Sequence, residues 1–356
     1  MSSARRIDQV MAGFADGDAI SHVALIMREV FRKWGMASDI YADARHVSSS
    51  MKDACRPLDQ YRGAASDVVL HQYSIGSPAL DAFVGSPAKK VLVYQNITPA
   101  EYFDGFDDRV AAQLRQARSL LKDISSRVDA AWATSGFNAE ELRAVGVKNV
   151  RVFPLVFSPR QLDLPPDPEV LRKFATRLTT ILYVGRIAPN KRIETLIEAF
   201  SWYYRKFNPY SRLVLVGSDR SCPRYFAMLR MQVGDLDLPN VCFEGFASPA
   251  GLPAYYRSSD LFVTTSEHEG YCLPLVEAMY MGVPVIAPHI GGMPEALGGA
   301  GVMVEDLKPA ELAGLMDVVI RDGAVREDVL TSQRKRMEEI KRRDVEEELR
   351  QLLKEL

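Results

Sequence analysis

Residues 267–279 read EHEGYCLPLVEAM, and the way they are placed decides the fold. Ahead of them, residues 260–266 read DLFVTTS, the β-branched and aromatic composition of a buried strand. Behind Gly270, residues 273–281 read as a helix, with Pro274 suited to its first turn. A loop from a buried strand into a helix N-terminus presents unpaired backbone N–H groups, which attract anions. This loop is also acidic: Glu267 and Glu269 precede Gly270, and Glu277 lies about one turn into the helix. Carboxylates accept hydrogen bonds from hydroxyls. The combination suits a ligand with both phosphate and hydroxyl groups, such as a nucleotide sugar. In isolation the stretch also reads as an ordinary βα turn, with Glu277 near the positive end of a helix dipole.

The same strand–loop–helix unit recurs on both sides. Upstream, residues 179–186 (TTILYVGR) predict a strand, and residues 192–206 a helix. Arg186 and Lys191 fall between them, at the strand end and beside the helix N-terminus. Two cations there can neutralise a diphosphate when bound and when it leaves. Strands follow at 212–217 and 240–246, the latter ending in Phe246, then a helix at 248–258. Downstream come strands at 283–287 and 301–305, a turn and helix start at 291–295, and an amphipathic segment at 309–320.

The first half repeats the rhythm. A short apolar run within residues 5–14 leads to a loop containing Gly17 and Asp18, then a helix over 23–34. Gly17 lets a backbone approach a phosphate or sugar closely. Strands are predicted at 37–42, 66–74, 89–96, 130–135 and 149–157, with a polar segment at 48–62. A long helix over 108–128 carries five basic residues, including Arg109 and Lys122, diluted by Asp107, Asp108 and Asp123. Alternating strands and helices imply parallel sheets, whose ligands bind beyond the carboxyl ends of the strands. His71, Gln95 and Asn96 are expected there, although a lone histidine at a strand end is more often structural.

Residues 158–168, SPRQLDLPPDP, are the natural boundary. The expected architecture is α/β: two Rossmann-like doubly wound domains facing across a cleft. They cover residues 1–157 (acceptor side) and 169–331 (donor side), with a linker at 158–168 and a C-terminal helix at 332–356. A chain of 356 residues is comfortable for two domains. A formal net charge of -2 gives no reason to expect nucleic acid as a partner. No apolar run approaches a membrane span, and the N-terminus lacks the apolar core of a secretory signal. The four cysteines are scattered and read as reduced thiols of a cytoplasmic protein. A membrane-surface role for residues 334–343 is not favoured, because Glu338 and Glu339 interrupt the charge.

Residues 266–295, SEHEGYCLPLVEAMYMGVPVIAPHIGGMPE, resemble the donor-binding signature of retaining glycosyltransferases of family 4, which have the GT-B fold. Two glutamates flank seven residues there, as Glu269 and Glu277 do here. Arg186 and Lys191 match the family's G-R-x-x-x-x-K pattern, and the earlier segments follow in the right order. The resemblance implies that Glu277 binds the donor ribose hydroxyls. Glu269, with the backbone of Gly270, Tyr271, Cys272 and Leu273, would hold the sugar and distal phosphate. Arg186 and Lys191 would stabilise the leaving diphosphate, the backbone near Phe246 would touch the base, and the Gly17–Asp18 loop would contact donor or acceptor. It also implies a final helix that returns to the first domain. Two departures stand out. The early loop reads GDAIS where many relatives have two adjacent glycines, and Gln95 stands where relatives usually carry histidine. Glutamine holds a sugar hydroxyl but transfers no proton, and His71 is the candidate to replace part of that role.

The expected function is retaining transfer of a hexosyl group from a nucleotide diphosphate sugar to a sugar, lipid or small-molecule acceptor. The nucleotide sugar is a co-substrate; no cofactor is expected. No metal is expected either, since Arg186 and Lys191 can supply the positive charge that a diphosphate needs. The alternatives are a nucleotide-sugar-binding protein with altered catalysis, motivated by Gln95, and a GT-B hydrolase or epimerase acting on the donor alone.

Overall fold

The computed structural model describes residues 6–220, 222–306 and 308–356. Part of the N-terminal run from which a secretory signal was judged absent, residues 1–5, lies outside them. The chain forms two compact units. The first comprises the chain up to Ala100, then Arg109–Val156 and Asp344–Leu356; the second comprises Glu101–Asp108 and Phe157–Arg343.

The first unit contains β1 (Ile7–Met11), β2 (Ile40–Ala42), β3 (Arg56–Pro57), β4 (Val68–Tyr73), β5 (Lys89–Tyr94), β6 (Ala130–Ala133) and β7 (Val150–Val152). All pair in parallel, in the order β3-β2-β1-β4-β5-β6-β7. Its helices include α1 (Ala19–Lys33), α2 (Pro78–Gly85), α3 (Asp108–Ile124) and α4 (Gly136–Ala144). β1 and β4 are buried along their whole length, as expected of strands covered on both faces. Order reverses between β1 and β4. This is the switch point, and crevices for ligands open beyond the carboxyl ends of those strands.

The second unit contains β8 (Thr179–Val184), β9 (Ser211–Val216), β10 (Val241–Gly245), β11 (Leu261–Val263), β12 (Val285–Pro288) and β13 (Val302–Val304). They form a parallel sheet in the order β10-β9-β8-β11-β12-β13. Its helices are α5 (Pro168–Phe174), α6 (Ile193–Lys206), α7 (Pro223–Asp235), α8 (Gly251–Arg257), α9 (Leu273–Tyr280), α10 (Met293–Leu297), α11 (Pro309–Arg321) and α12 (Gly323–Lys341). The switch point lies between β8 and β11, so the loops after these two strands share one crevice.

A last helix, α13 (Val345–Lys354), belongs to the first unit. Leu349 is fully buried in a cluster with Ile7, Val23, Met27, Phe31, Trp132 and Phe153. Where one helix over 332–356 was expected, there are two. The first run ends at Lys341, and Asp344 caps the second, its carboxylate accepting from the Glu347 N–H. The proline-rich boundary is not wholly irregular: Pro159–Gln161 makes one 3-10 turn, and Asp163 accepts a 2.6 Å hydrogen bond from the Tyr280 hydroxyl. α7 and α2 fall in stretches for which no helix was predicted. Among the described residues no helix is long and apolar enough to cross a membrane.

Candidate functional site

The second unit's crevice is built from two loops stitched together by backbone. After β8 the chain passes Gly185 and Arg186 into a 3-10 turn, Pro189–Lys191, before α6. After β11 it runs from Thr264 to Cys272 before α9. The Glu267 N–H donates to the Asn190 carbonyl at 3.0 Å, and Asn190 Nδ2 donates to the His268 carbonyl at 3.2 Å. Thr265 Oγ1 donates to the carbonyls of Lys191 and Arg192 at 3.1 and 2.7 Å. The two loops are therefore one rigid piece, and the side chains they carry are held in register.

Within that piece Lys191 Nζ lies 2.6 Å from Glu269 Oε1. Both side chains are largely withdrawn from solvent, at 12% and 14% exposure, so water screens this pair far less than an exposed one. The Glu269 backbone is pinned as well. Its carbonyl accepts from the Gly292 N–H at 3.0 Å, and Gly291, at φ +59°, packs so closely that a Cβ would sit 2.3 Å from that oxygen. Only glycine satisfies both demands at position 291.

Cys272 closes the loop in the left-handed region, with φ 69° and ψ 70°, immediately before α9. This is an uncommon conformation for a residue with a Cβ. It turns the chain so that Leu273 opens the helix, whose first-turn N–H groups have no intrahelical acceptor. Burial, then the neighbouring Glu269, pushes the Cys272 thiol well above its ordinary value, so it stays protonated. One turn on, Glu277 Oε2 accepts a 2.9 Å hydrogen bond from the Tyr256 hydroxyl. Burial raises the Glu277 carboxyl to about 7, partly offset by that hydrogen bond. Although part of its surface is accessible, the carboxyl group is packed on most sides.

The remaining expected residues of this unit are more open. Arg186 is exposed, and among the described residues its guanidinium takes part in no ion pair. Its carbonyl accepts from the buried Tyr183 hydroxyl at 3.1 Å. Phe246, following the bulged end of β10, is 62% exposed. Lys191, Glu269, Gly270, Tyr271, Cys272, Leu273 and Glu277 thus gather around one crevice, with Arg186 at the end of the adjoining strand. Tyr256, Tyr183, Asn190 and Thr265 support them and were not singled out from the sequence.

The first unit's candidates are dispersed. Gly17 is exposed at φ +69°. Asp18 caps α1, accepting from the Ser21 N–H at 2.9 Å and the Ser21 hydroxyl at 2.7 Å. His71 corrects an expectation. It is not at the strand end but inside β4, fully buried, with its ring against Tyr73 and Phe83 and Nδ1 bonded to the Val10 carbonyl at 2.9 Å. Burial lowers it to about 4, so it is neutral and out of reach of a ligand. Gln95 is partly exposed just past β5 and donates from Nε2 to Gln72 Oε1 at 2.7 Å.

The family model described as Glycosyl transferases group 1 matches residues 171–343, the segment that carries this crevice. Over those residues the chain belongs to that family. It is 30% identical over 250 residues to a GDP-mannose-dependent alpha-mannosyltransferase of Mycolicibacterium smegmatis, covering 67% of this chain and 60% of the relative. It is 31% identical over 202 residues to a mannosylfructose-phosphate synthase of Agrobacterium fabrum, covering 54% of this chain and 43% of the relative. The group 1 chain thus spans about half the length of the curated relatives it matches. In structure it is similar to Anabaena HepE in complex with UDP and glucose, with a TM-score of 0.75 at 17% identity, covering 99% of this chain and 100% of that one. A sucrose-phosphate synthase from Thermosynechococcus elongatus gives 0.71 at 18%, covering 98% of each chain. These likenesses show the fold, and the expected GT-B class stands.

Proposed function

We propose that this group 1 member is a glycosyltransferase that moves a hexosyl group from a nucleotide diphosphate sugar to an acceptor, with retention at the anomeric carbon and without a metal. The observation that carries the reading is the shielded Lys191–Glu269 pair, 2.6 Å apart at the switch point and beside the N-terminus of α9. Such a pair is poised for partner exchange. The donor's distal phosphate takes hydrogen bonds from Lys191 and the α9 N-terminus, and Glu269 turns its freed oxygen to a sugar hydroxyl. As the C–O bond breaks, charge builds on the leaving diphosphate, where Lys191 and Arg186 stabilise it. Glu277 binds the ribose diol, its second oxygen held by Tyr256. The leaving phosphate accepts the acceptor's proton on the same face, so Gln95 need not act as a base.

The names of similar proteins point to two donor bases, GDP in the mannosyltransferases and UDP in the Anabaena complexes. Calorimetry with UDP, GDP and ADP, without added metal, on the wild type and Glu277→Ala tests the site. One nucleotide should bind best and be weakened by the substitution. Binding of none of the three overturns the reading. The anomeric configuration of the product, read by proton NMR, tests retention separately.

A further inference from the structure

Three glutamines cross the first unit in a single hydrogen-bonded line. Gln9 on β1 is fully buried and donates from Nε2 to the Ala24 carbonyl of α1 at 2.7 Å. Gln72 on β4, 3% exposed, donates to Gln9 Oε1 at 3.0 Å. Gln95, just past β5, donates to Gln72 Oε1 at 2.7 Å. Two buried amides inside fully buried strands need a reason, since each must find partners for several polar atoms.

The direction of the line is set at its inner end. A backbone carbonyl only accepts, so Gln9 turns Nε2 to Ala24 and Oε1 to Gln72. Gln72 must then present Nε2 inward and Oε1 outward, and Gln95 follows. The line ends on the carbonyl oxygen of Gln95, and among the described residues nothing donates to it. The backbone beneath is held tightly. The Gln95 N–H donates to the Tyr73 carbonyl at 2.9 Å, and Asn96, at φ 107°, donates from Nδ2 to Asn138 Oδ1 at 2.7 Å. Arg118 donates to the Ile97 carbonyl at 2.7 Å. Gln95 thus sits at the carboxyl ends of the strands beside the β1–β4 switch point, where ligands of parallel sheets bind.

We propose that Gln9 and Gln72 are positioning residues that fix Gln95 as an outward hydrogen-bond acceptor for a ligand hydroxyl, belonging to the transferred sugar or to the acceptor. This rests on the glycosyltransferase reading. A neutral, pre-oriented acceptor selects a hydroxyl group and rejects an anion, whose oxygens have no proton to give.

The test compares Gln72→Met, Gln95→Leu, the double variant and Gln95→Glu in the full chain, with UDP and GDP against UDP-glucose and GDP-mannose. Nucleotide affinity should stay at wild-type level in all four. If the hydroxyl is the donor's, Gln72→Met and Gln95→Leu each cut the affinity gained from the sugar by about three- to tenfold. If it is the acceptor's, that gain is unchanged and the acceptor KM rises by the same factor. The double variant should be no worse than Gln95→Leu, because Gln72 acts through Gln95. Gln95→Glu leaves the buried amides in place and keeps outward oxygens, but it exchanges the inward donor for a charged oxygen facing Gln72 Oε1, so it should lose as much as Gln95→Leu. Additive losses, wild-type behaviour of Gln72→Met, or full retention in Gln95→Glu would each overturn the proposal. Absence of any nucleotide binding would instead overturn the transferase reading, and this one with it.

Discussion

The two carboxyl-end crevices differ in the kind of polarity they carry. In the second unit the gathered side chains are ionic: Lys191 on Glu269, Arg192 between Glu194 and Glu267, and Arg186 exposed at the strand end. In the first unit they are mostly neutral amides: Gln9, Gln72, Gln95, Asn96 and Asn138. An ion pair there, Arg118 with Glu141 at 3.1 Å, braces the loop after β5 from behind. Charges are costly to withdraw from water unless a counter-charge offsets the cost, whereas amides can be buried once every partner is found. The contrast fits the proposed division of labour, in which one crevice handles phosphate charge and the other reads hydroxyls.

The strongest challenge to this contrast is Lys191→Ala. If the cation stabilises leaving-group charge, kcat should fall by about 100-fold or more. An unchanged kcat removes Lys191 from the site. Next comes Gly291→Ala, which forces a Cβ at positive φ against the Glu269 carbonyl. It should cost about 2–4 kcal/mol in denaturant unfolding and lower transfer with it. A variant as stable as the wild type would mean that this backbone yields easily.

Glu277→Gln separates function from stability. The folded carboxyl titrates near 7, above its ordinary 4.5, so the folded state holds the proton more tightly than the unfolded chain does. The stability this contributes is fully present below about 4.5 and is lost as pH rises through about 7. Glutamine carries no such loss. The variant should therefore gain on the wild type in thermal melts above pH 7, by about 1–3 kcal/mol. Nucleotide affinity should move the other way, about tenfold weaker in the variant and, in the wild type, rising with pH through 7 as the carboxylate forms. Identical melting differences at pH 5 and pH 8 would refute the linkage. The smallest effect belongs to His71→Leu. It loses one buried hydrogen bond, about 1 kcal/mol, and should leave turnover within about twofold. A large loss of turnover with the fold intact would return His71 to the site.

Much of this was legible in residue spacing. β8, β9 and β10 came from β-branched apolar runs, and the Glu269–Glu277 interval put two carboxylates on one loop and helix. What was hidden has physical causes. α7 buries only Tyr225 and Leu229, too thin a stripe for periodicity to register. The break before α13 has neither glycine nor proline, although Asp344 three residues ahead of Glu347 was a capping signal. Tyr256 reads as a core aromatic, and its partner Glu277 is 21 residues away in sequence. His71 was misplaced because it lies within β4 and not beyond its end, and both faces of that strand are covered, so its ring is buried. Gln9 and Gln72 gave a faint sign as polar residues within strands, but only the pairing of β1 with β4 joins them.

The return of α13 to the first unit also has a consequence for synthesis. Leu349 completes an apolar cluster whose other members are made more than 190 residues earlier, among them Val23, Met27 and Phe31. The whole of Phe157–Arg343 must be translated in between. At ordinary elongation rates that stretch takes roughly 10–40 s. During this interval the nascent first unit displays the apolar patch that the last helix will cover, which makes it a natural client for chaperones. A chain cut short anywhere in the second half would lack the helix that covers this patch.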